Sequence, residues 1–531
     1  MVALGVFLLL FVHYQTTKTF FFFVSRQQKF AKLPPLVPYW IPLLGSMPWG
    51  YLWNASKFVC SSKYAFQSCH PVRVRLMSQE FYILQGARNI STLFKQGSLS
   101  AFAVHGSLLR YVFSLPKSAA EIYYKDDSGE HEKPHEDSMI ESHNRVDFLT
   151  RSSFLKFLTG PGLAPLSQRF ERNITKHIVA LAPSQSWTSV KDLMEVFQQD
   201  VTGAVIDAMC GTFLLKQHPR FLGDFWNIDR SIMDLFVRAP RFMAREAYRA
   251  RDDALAAVKA WHAWAKNNFD PESIGPDGDD PYWGTKFFRN RQDMFLNMTG
   301  FDADAVASQE LAFIWGANTN AIVSAFWVTL EVFKNHQILK DIREEVQACV
   351  RADVTEVTFD IPKLLKQPLL QAILSETLRL RVNGFLVRRP MRDTLKIHEW
   401  SIPKDRFCLT SSTPGHMDPN IWCKGAGEGH PVTEFWPGRF LKTNESTGVV
   451  EFTLKGTEGS WMPFGGGTHM CPGKVFAKHV ICLTVALMVT KYDCVITADE
   501  KAMKMSTRNF GFGTLSPVGK VPAMIRKRDA K

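Results

Sequence analysis

The stretch Phe464 to Ala477, FGGGTHMCPGKVFA, sets one cysteine, Cys471, between a glycine-rich turn and a run with helical patterning, Lys474 to Tyr492. Gly465, Gly466 and Gly467 let the backbone bend where a Cβ could not follow, and Gly473 allows close approach just past the sulfur. Pro472 removes a backbone donor at the point where a helix can begin. A thiolate presented there faces the positive end of a helix dipole, which favours its ionised form. The stretch is therefore equipped to hold a metal through one sulfur. A phosphate-binding loop is excluded: it needs four residues between its glycines and then Lys with Ser or Thr. Here Gly467 and Gly473 enclose five, and Lys474 precedes Val475.

Two further constellations carry chemistry. Glu376 and Arg379 stand at i, i+3 in Leu364 to Arg381, a segment with helical patterning. On a solvated face such a pair is worth roughly a few tenths of a kcal/mol. Here the neighbours are apolar, so the pair is predicted to be buried and must find additional partners. Asn318, Thr319 and Asn320 lie mid-way along Asp302 to Lys334, which is apolar nearly all round and reads as a buried helix. Amides in such a helix require hydrogen bonds. His131 to His135 spells the zinc-protease pattern HExxH, but that pattern works only on a helix, and Pro134 with acidic flanks argues against one.

Taken whole, F-x-x-G-x-x-x-C-x-G-x-x-x-A is matched at Phe464, Gly467, Cys471, Gly473 and Ala477. It resembles the heme-binding signature of the cytochrome P450 superfamily, whose cysteine thiolate holds heme iron. The resemblance implies heme b ligated by Cys471, with His469 at the place where the family pairs a basic residue with a heme propionate. The family's E-x-x-R motif is identical at Glu376 and Arg379, and its third member would be Arg439, from Phe435, Pro437, Arg439 and Phe440. Arg388 or Arg389 is expected to meet a propionate. The usual W-x-x-x-R motif is missing around Phe154 to Ile178, with Arg169 or Arg172 as substitutes. Trp226 and Arg230 have its spacing but fall too late.

In the family an acid–threonine pair on the distal helix manages protons for oxygen activation. Two registers fit this sequence. One sets Asn318-Thr319 on the pair. The other follows the landmarks Trp315 and Phe326-Trp327, as in the sterol and bile-acid hydroxylase branch and prostacyclin synthase, and sets Asn320 and Ala321 there. The second register is preferred, and in neither does a carboxylate stand at the acid position.

Holding these residues requires a large framework. The 531-residue chain is 46% hydrophobic and contains 41 Phe, ample for an apolar pocket. Its net charge of +12 suits an anionic membrane surface or an acidic partner, and the scatter of basic residues argues against nucleic acid. Nine cysteines, odd in number and dispersed, form neither a disulfide framework nor a CxxC pair. Met1 to Val12 is apolar but spans only ~18 Å of a ~30 Å hydrocarbon core. Lys18, costing roughly 3 kcal/mol at mid-membrane, interrupts before Phe20 to Val24 resumes. The expected division is a membrane anchor at 1–24, single-pass or monotopic, then a basic and proline-rich hinge at 25–45, with Arg26, Lys29 and Lys32 holding the remainder on the cytoplasmic side. The heme-thiolate catalytic domain follows at 46–531.

The expected fold class is mainly α with small β-sheets. The function implied is membrane-bound monooxygenation, at the endoplasmic reticulum, of a bulky lipophilic substrate such as a steroid, terpenoid or alkaloid. It would use O₂ and electrons from NADPH through a cytochrome reductase docking near Lys474 and Lys478. The rival readings are a heme-thiolate isomerase or dehydratase acting on a peroxide, and a heme sensor.

Overall fold

The apolar run after Asp302 forms one unbroken helix, Ala303–Lys334, whose first turn is capped where the Asp302 carboxylate accepts the Ala305 amide at 2.8 Å. At 32 residues it is about 48 Å long, and it is the axis of the molecule. Helices Arg245–Asn268, Pro368–Arg381 and Lys474–Lys491 pack against it. All three bury their apolar faces in one continuous core. In this computed structural model the described residues are 2–528, apart from 27–32, 43–44, 46–54, 63, 68–69, 77–78, 98, 182–183 and 352–356. Lys29 and Lys32 of the expected hinge lie outside them.

The fold is mostly helical with small sheets, as expected. The largest sheet runs Val72–Leu76, Gln79–Ile83, Phe407–Ser411, Val382–Pro390 and Phe512–Thr514, and Leu99–Ser100 also pairs with the fourth of these. Its register sets Phe385 opposite Ser411 and Gly384 opposite Phe512, so the C-terminal hairpin is tied to the strand after Arg381. Residues 131–135, the HExxH match, take no helix, and His131 is an exposed neighbour of Glu130.

One ion pair anchors the long helix from the side. Arg291 Nε meets Glu310 Oε1 at 2.8 Å, both side chains 1% exposed, under the rings of Phe154, Phe287 and Phe295. Burial raises the Glu310 pKa, and Arg291 opposes that shift. Arg291→Ala leaves a buried carboxyl without its cation. It should cost roughly 3–5 kcal/mol in chemical denaturation, while the double change to Met at both positions should cost much less. Equal losses in the two would show that packing, not charge, matters at this position.

At the N-terminus, Val2–Arg26 is a single helix that continues through Lys18. Its Ala3–Ser25 portion is long and apolar enough to cross a membrane by length and composition, and fits an anchor. Tyr14 stacks on Trp40 at 4.4 Å and Phe21 packs edge-on to Tyr64, tying the base of the helix to the domain.

Candidate functional site

The cysteine loop is shaped by its own backbone. The Cys471 amide donates to the Phe464 carbonyl at 2.9 Å, closing the turn. Gly467 has φ +68, and a Cβ there would lie 2.6 Å from the Phe94 carbonyl oxygen, so only glycine fits. Gly473 differs from expectation. A Cβ there would make ordinary contact, 3.8 Å from the Cys471 sulfur and 3.7 Å from Leu158, so close packing does not by itself demand glycine. The helix start favours the ionised sulfur as expected, but burial outweighs it. Burial pushes the thiol pKa up, and the Gly473 and Lys474 amides and the Lys474 charge offset this only in part.

Cys471 lies deep in the fold, yet its surface is exposed. The sulfur therefore opens onto an internal space. The long helix presents an open stripe of its own: Gly316 and Asn320 are exposed and Ala312 and Ala317 half-exposed, whereas Ile314, Trp315, Asn318 and Thr319 are buried. A Cβ on Gly316 would meet nothing within 4 Å. Between the two sides runs the strand Val382–Pro390: its Leu386 would lie 3.5 Å from a Cβ on Gly465, and Thr514, paired with its Val382, donates its amide to Asn320 Oδ1 at 2.7 Å.

The three distal candidates are thus separated. Asn318 Nδ2 donates to the Ile314 carbonyl at 2.8 Å and Thr319 Oγ1 to that of Trp315 at 3.2 Å, both inside the core. Asn320 alone lies on the open stripe, and Ala321 next to it is 5% exposed.

A polar edge borders the same space. Arg388 is buried and donates to the Gly466 carbonyl at 3.2 Å; burial lowers its pKa to about 10, which leaves it charged in neutral water. Arg389 takes the opposite face of the strand, 3.7 Å from Asp405, so alternation divides the pair that the sequence left open. His469 Nε2 donates to the Leu99 carbonyl at 2.6 Å, and burial with the nearby Arg388 pulls its pKa down to about 3, so the ring is neutral. His105 is also deep in the fold yet exposed, and burial and Arg388 lower its pKa to about 4.

The helix Val146–Leu158 supplies what sequence reasoning missed. Asp147 and Arg151 have the four-residue spacing of the absent W-x-x-x-R motif, and Arg151 lies close enough to influence both His469 and Asp147. Arg169 is instead paired with Asp277 and Asp279, and Arg172 is exposed, so neither substitutes. Glu130, Asp147 and His469 bring ligand atoms within 4.8 Å of one another, but Arg388 and Arg151 already supply the positive charge a cation would bring.

Behind the cysteine loop, Arg379 grips Glu376 with two bonds of 2.7 and 2.8 Å, both side chains fully buried. Arg439 adds a third contact at 3.2 Å and the Trp436 amide a fourth at 3.0 Å. These partners satisfy the buried carboxylate.

Residues 34–522 match the family model described as Cytochrome P450. The chain belongs to the cytochrome P450 family. It is similar to the cytochrome P450 monooxygenase efuG of Hormonema carpetanum, 29% identical over 526 residues that cover 94% of this chain and 90% of that one. It is equally similar to the cytochrome P450 monooxygenase fsoE of Humicola fuscoatra, 29% identical over 94% of this chain and 88% of that one. The cytochrome P450 monooxygenase calL of Penicillium decumbens is 27% identical over 86% and 87%.

The protein is thus an oxidoreductase, a P450 monooxygenase. Membership implies heme, O₂, a lipophilic substrate and electrons from a reductase partner. The residues present fit heme. Cys471 offers one free sulfur to an internal space. The long helix is open at Gly316, and Arg388 and Arg151 offer cations beside His469. Of the two lysines expected at a docking edge, Lys478 is half-buried with its ammonium donating to Gln371 at 3.0 Å, and Lys474 reaches Met470.

Proposed function

We propose that this P450 is anchored in the endoplasmic reticulum membrane by residues 1–24, with its catalytic domain on the cytoplasmic side, and hydroxylates a bulky lipophilic substrate of the steroid, terpenoid or alkaloid class in secondary metabolism. The observation that carries the reading is the internal space bordered by the exposed Cys471 sulfur and by the Gly316–Asn320 stripe. The half-buried pair Phe236 and Phe512, edge-on at 5.7 Å, would line it for an apolar molecule, backed by the buried pair Phe113 and Trp315. Cys471 would hold heme b iron, and Phe464, Gly467 and Gly473 would shape the loop beneath it. His469, Arg388 and Arg151 would hold the propionates, while Arg389 is directed elsewhere. Bound heme supplies dioxygen activation, with electrons from NADPH through a cytochrome reductase whose docking face includes Lys474.

On the distal side Asn320 is the residue assigned to oxygen chemistry. Its Oδ1 is engaged by the Thr514 amide, which leaves Nδ2 as a fixed donor. An amide cannot release a proton as a carboxylate does, so Asn320 would order water rather than relay protons. Asn318 and Thr319 support it by fixing the preceding helical turn. This arrangement favours the register shared with the sterol and bile-acid hydroxylase branch.

The absent carboxylate also motivates the peroxide-isomerase reading, and labelled dioxygen separates the two. Turnover of a steroid or terpenoid panel with reductase and NADPH should place one labelled oxygen atom in the product. Unlabelled product formed without NADPH would overturn the proposal.

A further inference from the structure

Asp229 is the penultimate residue of the helix Phe221–Arg230 and has no part in the site described so far. Its Oδ1 accepts the indole N–H of Trp315 at 3.0 Å, one residue before Gly316 on the long helix. The carboxyl lies deep in the fold but remains half-exposed, the combination that marks Cys471 and His105 as facing interior space. Trp315 brings one aromatic pair to it, and a second pair involves the segment that carries its neighbour Asn509. Phe113 packs on Trp315 at 5.7 Å, and Phe236 meets Phe512 edge-on at 5.7 Å.

The contacts occupy one oxygen of this acid and leave the other open. Among the described residues no hydrogen bond reaches Oδ2. The neighbouring Asn509 spends its Nδ2 on the Asp229 main-chain carbonyl at 2.7 Å, and its own Oδ1 is buried without a partner. Arg230 turns outward, where it is exposed and bonded to Asn227. Burial raises the Asp229 pKa to about 6, with the Trp315 bond and Arg230 opposing the shift, so the group is mainly ionised in neutral water. A carboxylate against aromatic walls is costly unless a donor reaches it. Trp315 supplies such a donor to Oδ1 alone, and Oδ2 is left facing open space.

We propose that Asp229 is the substrate-recognising residue of this pocket, its free Oδ2 accepting a hydrogen bond from a hydroxyl or amine on an otherwise lipophilic substrate. The contact would fix the substrate end remote from the iron and so select which carbon is presented for oxidation. This rests on the reading of the Cys471 space as a heme and substrate pocket. It narrows the substrate class to compounds carrying a donor, and disfavours bare hydrocarbons and carboxylates.

The test uses the heme-loaded protein and a homologous series of 1-alkylimidazoles, whose ring nitrogen ligates the iron and whose tails end in methyl, hydroxyl, amine or carboxylate. Spectral titration reads each Kd. At one tail length the hydroxyl or amine probe should bind about tenfold more tightly than its methyl counterpart, the scale of a hydrogen bond to a charged acceptor. The Asp229→Leu variant should lose that advantage while the methyl probe's Kd changes less than about twofold. Asp229→Asn should keep part of the hydroxyl gain and lose the amine gain, because a neutral amide still accepts but no longer attracts a cation. No donor advantage at any tail length in the unmutated protein, or an advantage that survives in Asp229→Leu, overturns the assignment. Absence of nitrogen ligation by every probe would overturn the heme-pocket reading as well.

Discussion

Replacing Cys471 with alanine is expected to abolish the red-shifted Soret band of the reduced, carbon-monoxide-bound protein and to remove monooxygenase activity. The loss should exceed the roughly 10–100-fold that follows removal of a group merely supporting a metal ligand. The reason lies in how the loop treats this sulfur. Without a metal, burial keeps the thiol protonated, and the Gly473 and Lys474 amides compensate only in part. The site therefore does not maintain a free thiolate, and ionisation would come with iron binding. The same amides and Lys474 would then moderate the ligand's charge. Cys471→His is the informative second variant, since it returns a neutral nitrogen ligand. It should retain heme and give a spectrum without the thiolate shift. If either variant keeps the thiolate band, Cys471 is not the ligand.

How far the site could be read from sequence depended on whether its residues sit in one segment. The cysteine loop was legible because turn, ligand and helix start are contiguous, and Glu376 with Arg379 because i, i+3 spacing implies a shared face. The distal helix was different. It is apolar almost all round, so periodicity gives its burial but not its rotation. Gly316 and Asn320, four residues apart, define the open stripe only once the neighbouring elements are placed. Arg388 and Arg389 posed the same problem on a strand, where the structure sets Arg388 against Gly466 and Arg389 beside Asp405. Asp147 and Arg151 went unseen because the tryptophan that normally marks their spacing is absent. Lys478 is a case in which a charge visible in sequence is spent on a local partner, Gln371. Asp229 carried no signal at all: its setting is built by Trp315 and Asn509, each far away in the chain.

Loss of Arg379 is expected to be the most damaging change to the scaffold, because this side chain links the cysteine loop to the helix behind it. Arg379 binds Glu376 through two nitrogens and donates a third bond, at 2.8 Å, to the carbonyl of His416. His416 is itself fully buried, and burial holds its pKa down to about 3, so it is neutral with one donor and one acceptor nitrogen. Nδ1 donates to the Val382 carbonyl and Nε2 accepts the Met462 amide, both at 3.2 Å. Met462 lies two residues before Phe464, whose carbonyl closes the cysteine turn. A continuous set of hydrogen bonds therefore runs from Glu376 to the segment that presents Cys471. Arg379→Ala would leave Glu376 buried with only Arg439 and the Trp436 amide, and would free the His416 carbonyl. Breaking a buried pair in this way costs roughly 3–5 kcal/mol, a large share of the 5–15 kcal/mol that holds most domains folded. The expected result is little soluble protein, and in what survives, a lower denaturation midpoint and incomplete heme incorporation. Arg379→Lys keeps the charge but not the planar two-point grip, and should fall between the two. His416→Gln keeps an acceptor and a donor but loses the ring's fixed geometry. It should leave the fold largely intact and loosen the loop, seen as faster heme release to a heme-scavenging protein. Heme release unchanged in His416→Gln would show that the loop is held by the sheet and not by this hydrogen-bonded path.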